Sequence, residues 1–370
     1  MKLIYLCSSK SWGGLELNQL RNALWMHKRG HEVLVLGCEN APYLNKALEW
    51  DLPTITIDPY RKYYAFGSAL KLARLLKQQE ASHLFIRDTR DMSMMASLKF
   101  LLKRSITTVY FMEMQLGVSK KNLLHTLRFS FLDFWSCPLQ GLMEQVQEKT
   151  RFNPNRLLLI PSGLDRSSLI SIDKESARNT LNLPEKVLIF GLIGRLDPQK
   201  GQHLLVEALA KLKSAQIHIV FLGESTKGEG DHYFNNLKEQ IANEKLSEQV
   251  HFRPFREDVS IFFSAIDWMV MATKAETFGM VSIESMACGT PVLGSNAGGT
   301  PEILNFGKLG VLFESMNSMD LSLKMQGILD GSFDIDPNLL QESTAPYDHN
   351  MVCTAIEEQV LNFFHKDLIA

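Results

Sequence analysis

A chain of 370 residues exceeds what one ordinary hydrophobic core organises and suits two domains. Its composition, 45% apolar and 22% charged, is that of a globular protein and excludes a long disordered or fibrous segment. The net charge of −2 hides an asymmetry, because residues 1–165 hold 22 Lys and Arg against 14 Asp and Glu, leaving the remainder acidic.

The N-terminal stretch MKLIYLCSSK has an apolar run too short for a signal-peptide core, and no later run reaches the length of a membrane span. A cytoplasmic protein is therefore expected. The five cysteines, Cys7, Cys38, Cys137, Cys288 and Cys353, are scattered without a CxxC pair, which points to buried thiols rather than a disulfide framework or a zinc site. KLIYLC, GLELNQLRNALWMHKRG and EVLVLG then read as strand, helix closed by Gly30, and strand, a βαβ unit. Strand patterns recur at HLFIRD, ITTVYFME, FWSCPL and RLLLIPSG, with helical stretches such as GSALKLARLLKQQ between them.

Apolar runs lapse across DRSSLISIDKESARNTLNLPEK, and a second series follows: VLIFGLIG, IHIVFLG, VHFRPF, WMVMAT, PVLGSN and GVLF. Strands alternating with helices in both series predict two doubly wound parallel sheets, with domains at 1–168 and 169–349. The final helical stretch, within about 350–370, could pack on either domain, including back on the first. Two lobes imply a cleft, and parallel sheets bind ligands beyond the carboxyl ends of their strands, so the strand-to-helix loops are where chemistry is expected.

The loop after the first strand, SSKSWGGLE, places Gly13 and Gly14 at a helix start, where free N–H groups and the positive dipole end favour an anion. It is not GxGxxG, although Glu39 ends the next strand where a dinucleotide fold would hold a ribose. In GLIGRLDPQKGQHLLVEAL a strand ends at Gly194 and leads through Arg195 and Lys200 to a helix. A planar guanidinium and a mobile ammonium on one loop could hold both phosphates of a diphosphate, or be two solvated cations.

The third loop, ATKAETFGMVSIESMACGTPVLGSNAGGTPEIL, sets Glu276 ahead of a short helix that Gly279 opens and Gly289 and Pro291 close, and Glu284 more than a turn inside it. At 1.5 Å rise per residue the two acids are on the order of 10 Å apart, too far to share a proton. They could span a sugar nucleotide, or Glu276 could cap the helix with Glu284 on the surface.

GRLDPQKG followed by Glu276-x7-Glu284 and MACGTPVLGSNAGGTPEIL resembles the retaining nucleotide-sugar glycosyltransferases of family 4, which have the two-lobed GT-B fold. The resemblance extends to the early glycine pair and to LIPSGLD, Leu159 to Asp165, and covers almost the whole chain. It implies an α/β GT-B fold of two Rossmann-like domains and a nucleotide-diphosphate sugar as donor, bound mainly on the second lobe. By position, Glu276 would bond the donor sugar and Glu284 the ribose, while Arg195 and Lys200 hold the diphosphate with main-chain N–H groups near Phe278, Gly279 and Met280. Gly13 and Gly14 would complete the site, and HFRPFRED matches the base-contacting segment. The same resemblance implies metal-independent transfer of a hexosyl-type sugar to a glycan, lipid-linked or polysaccharide-precursor acceptor, with retention of configuration. A related epimerase, phosphorylase or non-catalytic sugar-nucleotide binder is the alternative.

One departure stands out: the family often has a His after the strand ITTVYFME, where this chain has Glu113 and Gln115 as candidates for the acceptor side. His83 and His125 read as structural or surface residues. The Asp334–Asp336 stretch DID imitates a metal-binding motif, but Asp336-Pro337 reads as a helix N-cap and first turn, and no metal or other cofactor is expected. A basic first half suits an anionic membrane, a phosphorylated acceptor or nucleic acid. No nucleic-acid motif accompanies it, so no nucleic-acid partner is expected. YRKYYAFGSALKLARLLK and SKKNLLHTLRF combine cations with apolar residues, as peripheral contact with the anionic inner face of a membrane requires, and equally as ordinary amphipathic helices do.

Overall fold

The computed structural model describes residues 1–63, 65–103, 105–170, 172–225, 231–274 and 276–362. They form two units: Met1–Gly163 with the segment from Tyr347 onward, and Leu164–Pro346. The first division thus falls five residues before the expected boundary at 168.

The first unit is built on seven parallel strands, β1 (Lys2–Cys7), β2 (Glu32–Cys38), β3 (Thr54–Ile57), β4 (His83–Ile86), β5 (Thr107–Phe111), β6 (Phe134–Cys137) and β7 (Leu157–Leu159), in the spatial order 3-2-1-4-5-6-7. Helices on both faces explain why β1, β4 and β5 read as unbroken apolar runs: nearly all of their residues are buried. Tyr5, Phe85 and Phe111, on neighbouring strands, meet edge to face at 5.1 and 5.6 Å. β3, TITI, escapes the sequence pattern because it is a four-residue edge strand that buries only Ile57.

The closing helix His349–Ile356 belongs to the first unit and rests on the helix Gly14–Lys28, with His349 stacked on Trp25 at 4.9 Å. Just beyond it, Glu357 receives Arg29 Nη2 at 2.5 Å and lies 2.9 Å from His31 Nε2. The Arg29 hydrogen bonds hold its carboxyl well below the usual range, at about 2.

The second unit has six parallel strands, β8 (Leu188–Ile193), β9 (Ile217–Leu222), β10 (Val250–Arg253), β11 (Trp268–Met271), β12 (Val292–Ser295) and β13 (Val311–Phe313), in the order 10-9-8-11-12-13. All six lie within the runs read from the sequence. Each sheet reverses its strand order once, between β1 and β4 and between β8 and β11. Such reversals open a crevice where the loops on either side diverge, so they place the ligand-binding edge of each unit. All five cysteines are buried and free, and among the described residues no helix is long and apolar enough to cross a membrane.

Candidate functional site

The reversal in the second unit brings together the loops after β8 and β11. After Gly194 the chain turns at Asp197, whose side chain accepts the Gln199 N–H at 2.8 Å and whose carbonyl accepts the Lys200 N–H at 2.9 Å. Gly201 then adopts φ +78°, and a Cβ there would lie 2.5 Å from the Ala272 carbonyl oxygen, so only glycine lets this loop press against the end of β11. Gln202, fully buried, donates from Nε2 to the Arg195 carbonyl at 2.8 Å and accepts from the Tyr233 hydroxyl at 3.2 Å. The Arg195 main chain is thereby fixed while its side chain stays 60% exposed, 4.0 Å from Asp197.

Lys200 Nζ lies 3.2 Å from Glu276 Oε2, joining the β8 loop to the β11 loop. The main chain of Glu276 is held from a third loop, after β12: Gly299 N–H donates to its carbonyl at 2.8 Å. Gly298, at φ +63°, approaches so closely that a Cβ would fall 2.1 Å from the Glu276 oxygen. The glycine pair in AGGTPEIL therefore has a structural task, which is to clamp Glu276.

Three residues beyond Glu276, Gly279 caps the helix Met280–Ala287, seated by buried Phe278, Ile283 and Met286. Its first N–H groups have no acceptor within the helix and point toward the carboxyl edge of the sheet. Glu284 stands in the second turn, partly buried. Arg195, Lys200, Glu276, Gly279 and Met280 are thus carried on neighbouring loops, and Phe278 is an anchor whose side chain faces the core. Asp336 caps the helix Pro337–Ser343, accepting the Asn338 N–H at 2.9 Å.

In the first unit Gly13 is extended and Gly14 begins a helix. A Cβ at Gly13 would make only ordinary contact, 3.6 Å from Glu16 Oε2, and one at Gly14 would meet nothing within 4 Å. The unit itself does not require glycine at either position. The end of β1 is pinned by Asp91, which accepts from the Ser8 N–H at 3.1 Å, from the Ser8 hydroxyl, and from the Tyr60 hydroxyl at 2.6 Å. Burial pushes the Asp91 carboxyl up to about 6. No motif in the sequence announces this cluster, because its members come from three separate loops.

Glu113 is 10% exposed, paired with Arg87 and accepting the Ser162 hydroxyl at 2.9 Å. Gln115 lines a cavity of about 360 Å³ beyond the carboxyl ends of β4 and β5, along with His125, Arg128 and Trp135. His125, read from the sequence as structural or surface, is a wall of that cavity, whereas His83 is buried in β4, where burial pushes its imidazole down to about 4.

A family model described as glycosyl transferases group 1 matches residues 173–342. The D-inositol 3-phosphate glycosyltransferase of Mycobacterium sp. (strain KMS) is 29% identical over 188 residues, a match covering 50% of this chain and 42% of that protein. The chain thus spans less than half the length of that curated relative. Among solved structures, Anabaena HepE in complex with UDP aligns with a TM-score of 0.86 at 22% identity, over 98% of this chain and 100% of that one. A glycosyltransferase from Rickettsia africae ESF-5 aligns at 0.85 and 17% identity, over 97% of each chain. The chain therefore has the two-sheet GT-B fold, and its residues 173–342 are similar to the glycosyl transferases group 1 family.

Proposed function

We propose that the protein is a retaining family 4 glycosyltransferase that moves a hexosyl-type sugar from a nucleotide-diphosphate sugar to a glycan or lipid-linked acceptor. The observation that carries this reading is the 3.2 Å approach of Lys200 to Glu276 at the strand-order reversal of the second unit. A cation and a sugar-binding carboxylate meet there beside a helix N-terminus, the arrangement that a diphosphate joined to a sugar requires. HepE, which shares the fold, was solved with UDP and with UDP-glucose, the class of donor proposed here.

In this reading Arg195, Lys200 and the N–H groups at Gly279 and Met280 receive the diphosphate. Glu276 accepts from hydroxyls of the sugar and Glu284 from the ribose, while Gly13 and Gly14 meet the donor through their main chain. The bond between the anomeric carbon and the β-phosphate oxygen breaks with its electron pair left on the diphosphate, where Arg195 and Lys200 stabilise it. The acceptor oxygen bonds the anomeric carbon from the same face, and its proton passes to the departing oxygen, so configuration is retained. The chain supplies the cations that leaving-group departure needs, so transfer is expected to persist in excess chelator; loss of activity restored by manganese would contradict this.

The first unit takes the acceptor. Its helix Leu123–Phe129 exposes Leu123, Leu124 and Leu127 at 81, 69 and 60%, directly after Lys120 and Lys121, which supports peripheral docking at an anionic membrane face. Failure to sediment with anionic vesicles at low salt would remove that element. The donor reading is tested by thermal shift against a panel of nucleotides and sugar nucleotides, since a ligand of the folded state raises the melting temperature. A selective rise with one nucleotide-diphosphate sugar is expected, and no rise with any of them would refute it.

A further inference from the structure

The 360 Å³ cavity of the first unit is in the size range of small-molecule sites and lies at the ligand-binding edge of its sheet. Among the residues lining it are three cations, Lys62, Lys120 and Arg128, and no carboxylate. The nearest acids on adjoining loops are engaged elsewhere: Asp88 pairs with Arg90 at 3.2 Å and Glu113 with Arg87.

Behind this lining, the Trp135 indole N–H and Arg128 Nε are buried and find no acceptor among the described residues. Both groups can only donate, so they add to the donor character of this wall. Arg128 Nη2 lies 3.0 Å from His125 Nδ1. Because arginine cannot accept, Nδ1 must be the unprotonated nitrogen and Nε2 carries the proton, a further donor. Burial lowers the basicity of His125, and so do Arg128, Lys120 and Lys62, which line the same cavity. One side of the wall is aromatic, with Tyr110 and Phe129 edge-on to Trp135 at 5.2 and 5.0 Å, and Met92, Met114, Leu116 and Val118 add apolar surface.

We propose that this cavity receives an anionic group of the acceptor, a phosphoryl or a carboxylate, with Arg128, Lys120 and Lys62 as its ligands and the aromatic side chains of the wall against the attached ring or chain. The word acceptor rests on the glycosyltransferase reading above; the anion preference rests on the cavity alone.

Titration calorimetry of the full chain with glucose 6-phosphate, glucuronate and glucose tests it. The anionic sugars are expected to bind at least ~10-fold more tightly than glucose, as one desolvated charge-assisted hydrogen bond supplies. Arg128→Gln, Lys120→Gln and Lys62→Gln, none of them at a buried position, are each expected to remove most of that preference. Circular dichroism and the melting temperature establish that each variant is folded.

A second arm uses phosphatidylcholine vesicles with and without a polyprenyl phosphate. Binding of the soluble sugar phosphate assigns a soluble acceptor, and Arg128-dependent binding to the polyprenyl phosphate vesicles alone assigns a lipid-linked one; either upholds the proposal. Equal binding of charged and neutral ligands in both arms, or undiminished preference in all three variants, overturns it. The nucleotide panel titrated in parallel separates the two readings. Binding of any member of the nucleotide panel without anion preference refutes only the cavity assignment, whereas anion preference with no binding across the whole panel refutes only the glycosyltransferase.

Discussion

Lys200 Nζ and Glu276 Oε2 stand 3.2 Å apart although 76 positions separate them in the chain. Each is delivered by a loop that glycine fixes: Gly201 seats the Lys200 loop against Ala272, and Gly298 clamps the Glu276 main chain. The side chains are 31 and 21% exposed, so the pair is accessible enough to exchange its mutual contact for a ligand and buried enough for its charges to count.

Removing either member is expected to separate binding from chemistry. Lys200→Ala should weaken nucleotide-diphosphate binding and lower turnover together, by ~100-fold in kcat/KM, the scale for losing one preorganised donor to a developing anion. Glu276→Ala should lower kcat by a similar factor while leaving free nucleotide-diphosphate affinity within about 3-fold, because its proposed role is at the sugar. Steady-state kinetics with nucleotide binding measured alongside checks both; near-normal transfer by the two variants would refute the assignment.

Gly298→Ala should disturb the same site without touching a ligand. The new methyl would lie 2.1 Å from the Glu276 oxygen at a backbone with φ +63°, so the clamp must open. A cost of ~1–3 kcal/mol is expected for the strain, seen as a lowered melting temperature, with turnover falling as Glu276 moves. A variant with wild-type stability and rate would show that the clamp does not position Glu276.

Much of this was legible in the residues because the second unit announces itself in continuous runs. VLIFGLIG, WMVMAT and PVLGSN are strands buried on both faces, and GRLDPQKG and ETFGM follow them directly, so site residues sit close in sequence to the strands that aim them. β3 was not legible, since TITI is short and half exposed at a sheet edge. The surroundings of Glu113 were not legible either. Its ion pair with Arg87 and its bond from Ser162 join three strand ends that only the sheet order makes neighbours. The Arg128–Trp135 cavity was hidden for the same reason, since two strands, two helices and three loops contribute to its wall.

The glycine pair of the first unit offers a contrasting test. Nothing lies within 4 Å of a Cβ at Gly14, which begins its helix with room around it. Gly14→Val should therefore shift the melting temperature by no more than about 2 °C, about 1 kcal/mol or less for a domain of this size. If the open space serves the donor, turnover should drop at least ~10-fold as the side chain blocks close approach of a phosphate to the main chain. Unchanged turnover would remove Gly13 and Gly14 from the donor site.

The tie between the closing helix and the first unit has a pH signature. Glu357, held at about 2 against an ordinary value of 4.5, contributes stability in full above pH 4.5 and loses it as pH falls toward 2. Because the pair is about a quarter exposed, solvent screens it and the contribution is ~1 kcal/mol or less. Glu357→Gln should thus be less stable than the parent at pH 7, with the gap closing between pH 4.5 and 2. Urea denaturation across that range reads it, and a gap that stayed constant to pH 2 would show that the carboxylate charge is not responsible.

The central proposal is that Lys200 and Arg195 hold a diphosphate, and the most direct measurement compares the nucleoside diphosphate selected by the thermal-shift panel with its monophosphate, in the parent and in Lys200→Ala. The parent is expected to favour the diphosphate by at least ~10-fold, and Lys200→Ala to erase most of that preference while binding the monophosphate as before. Equal affinity of the parent for the two, or an undiminished preference in the variant, would contradict it.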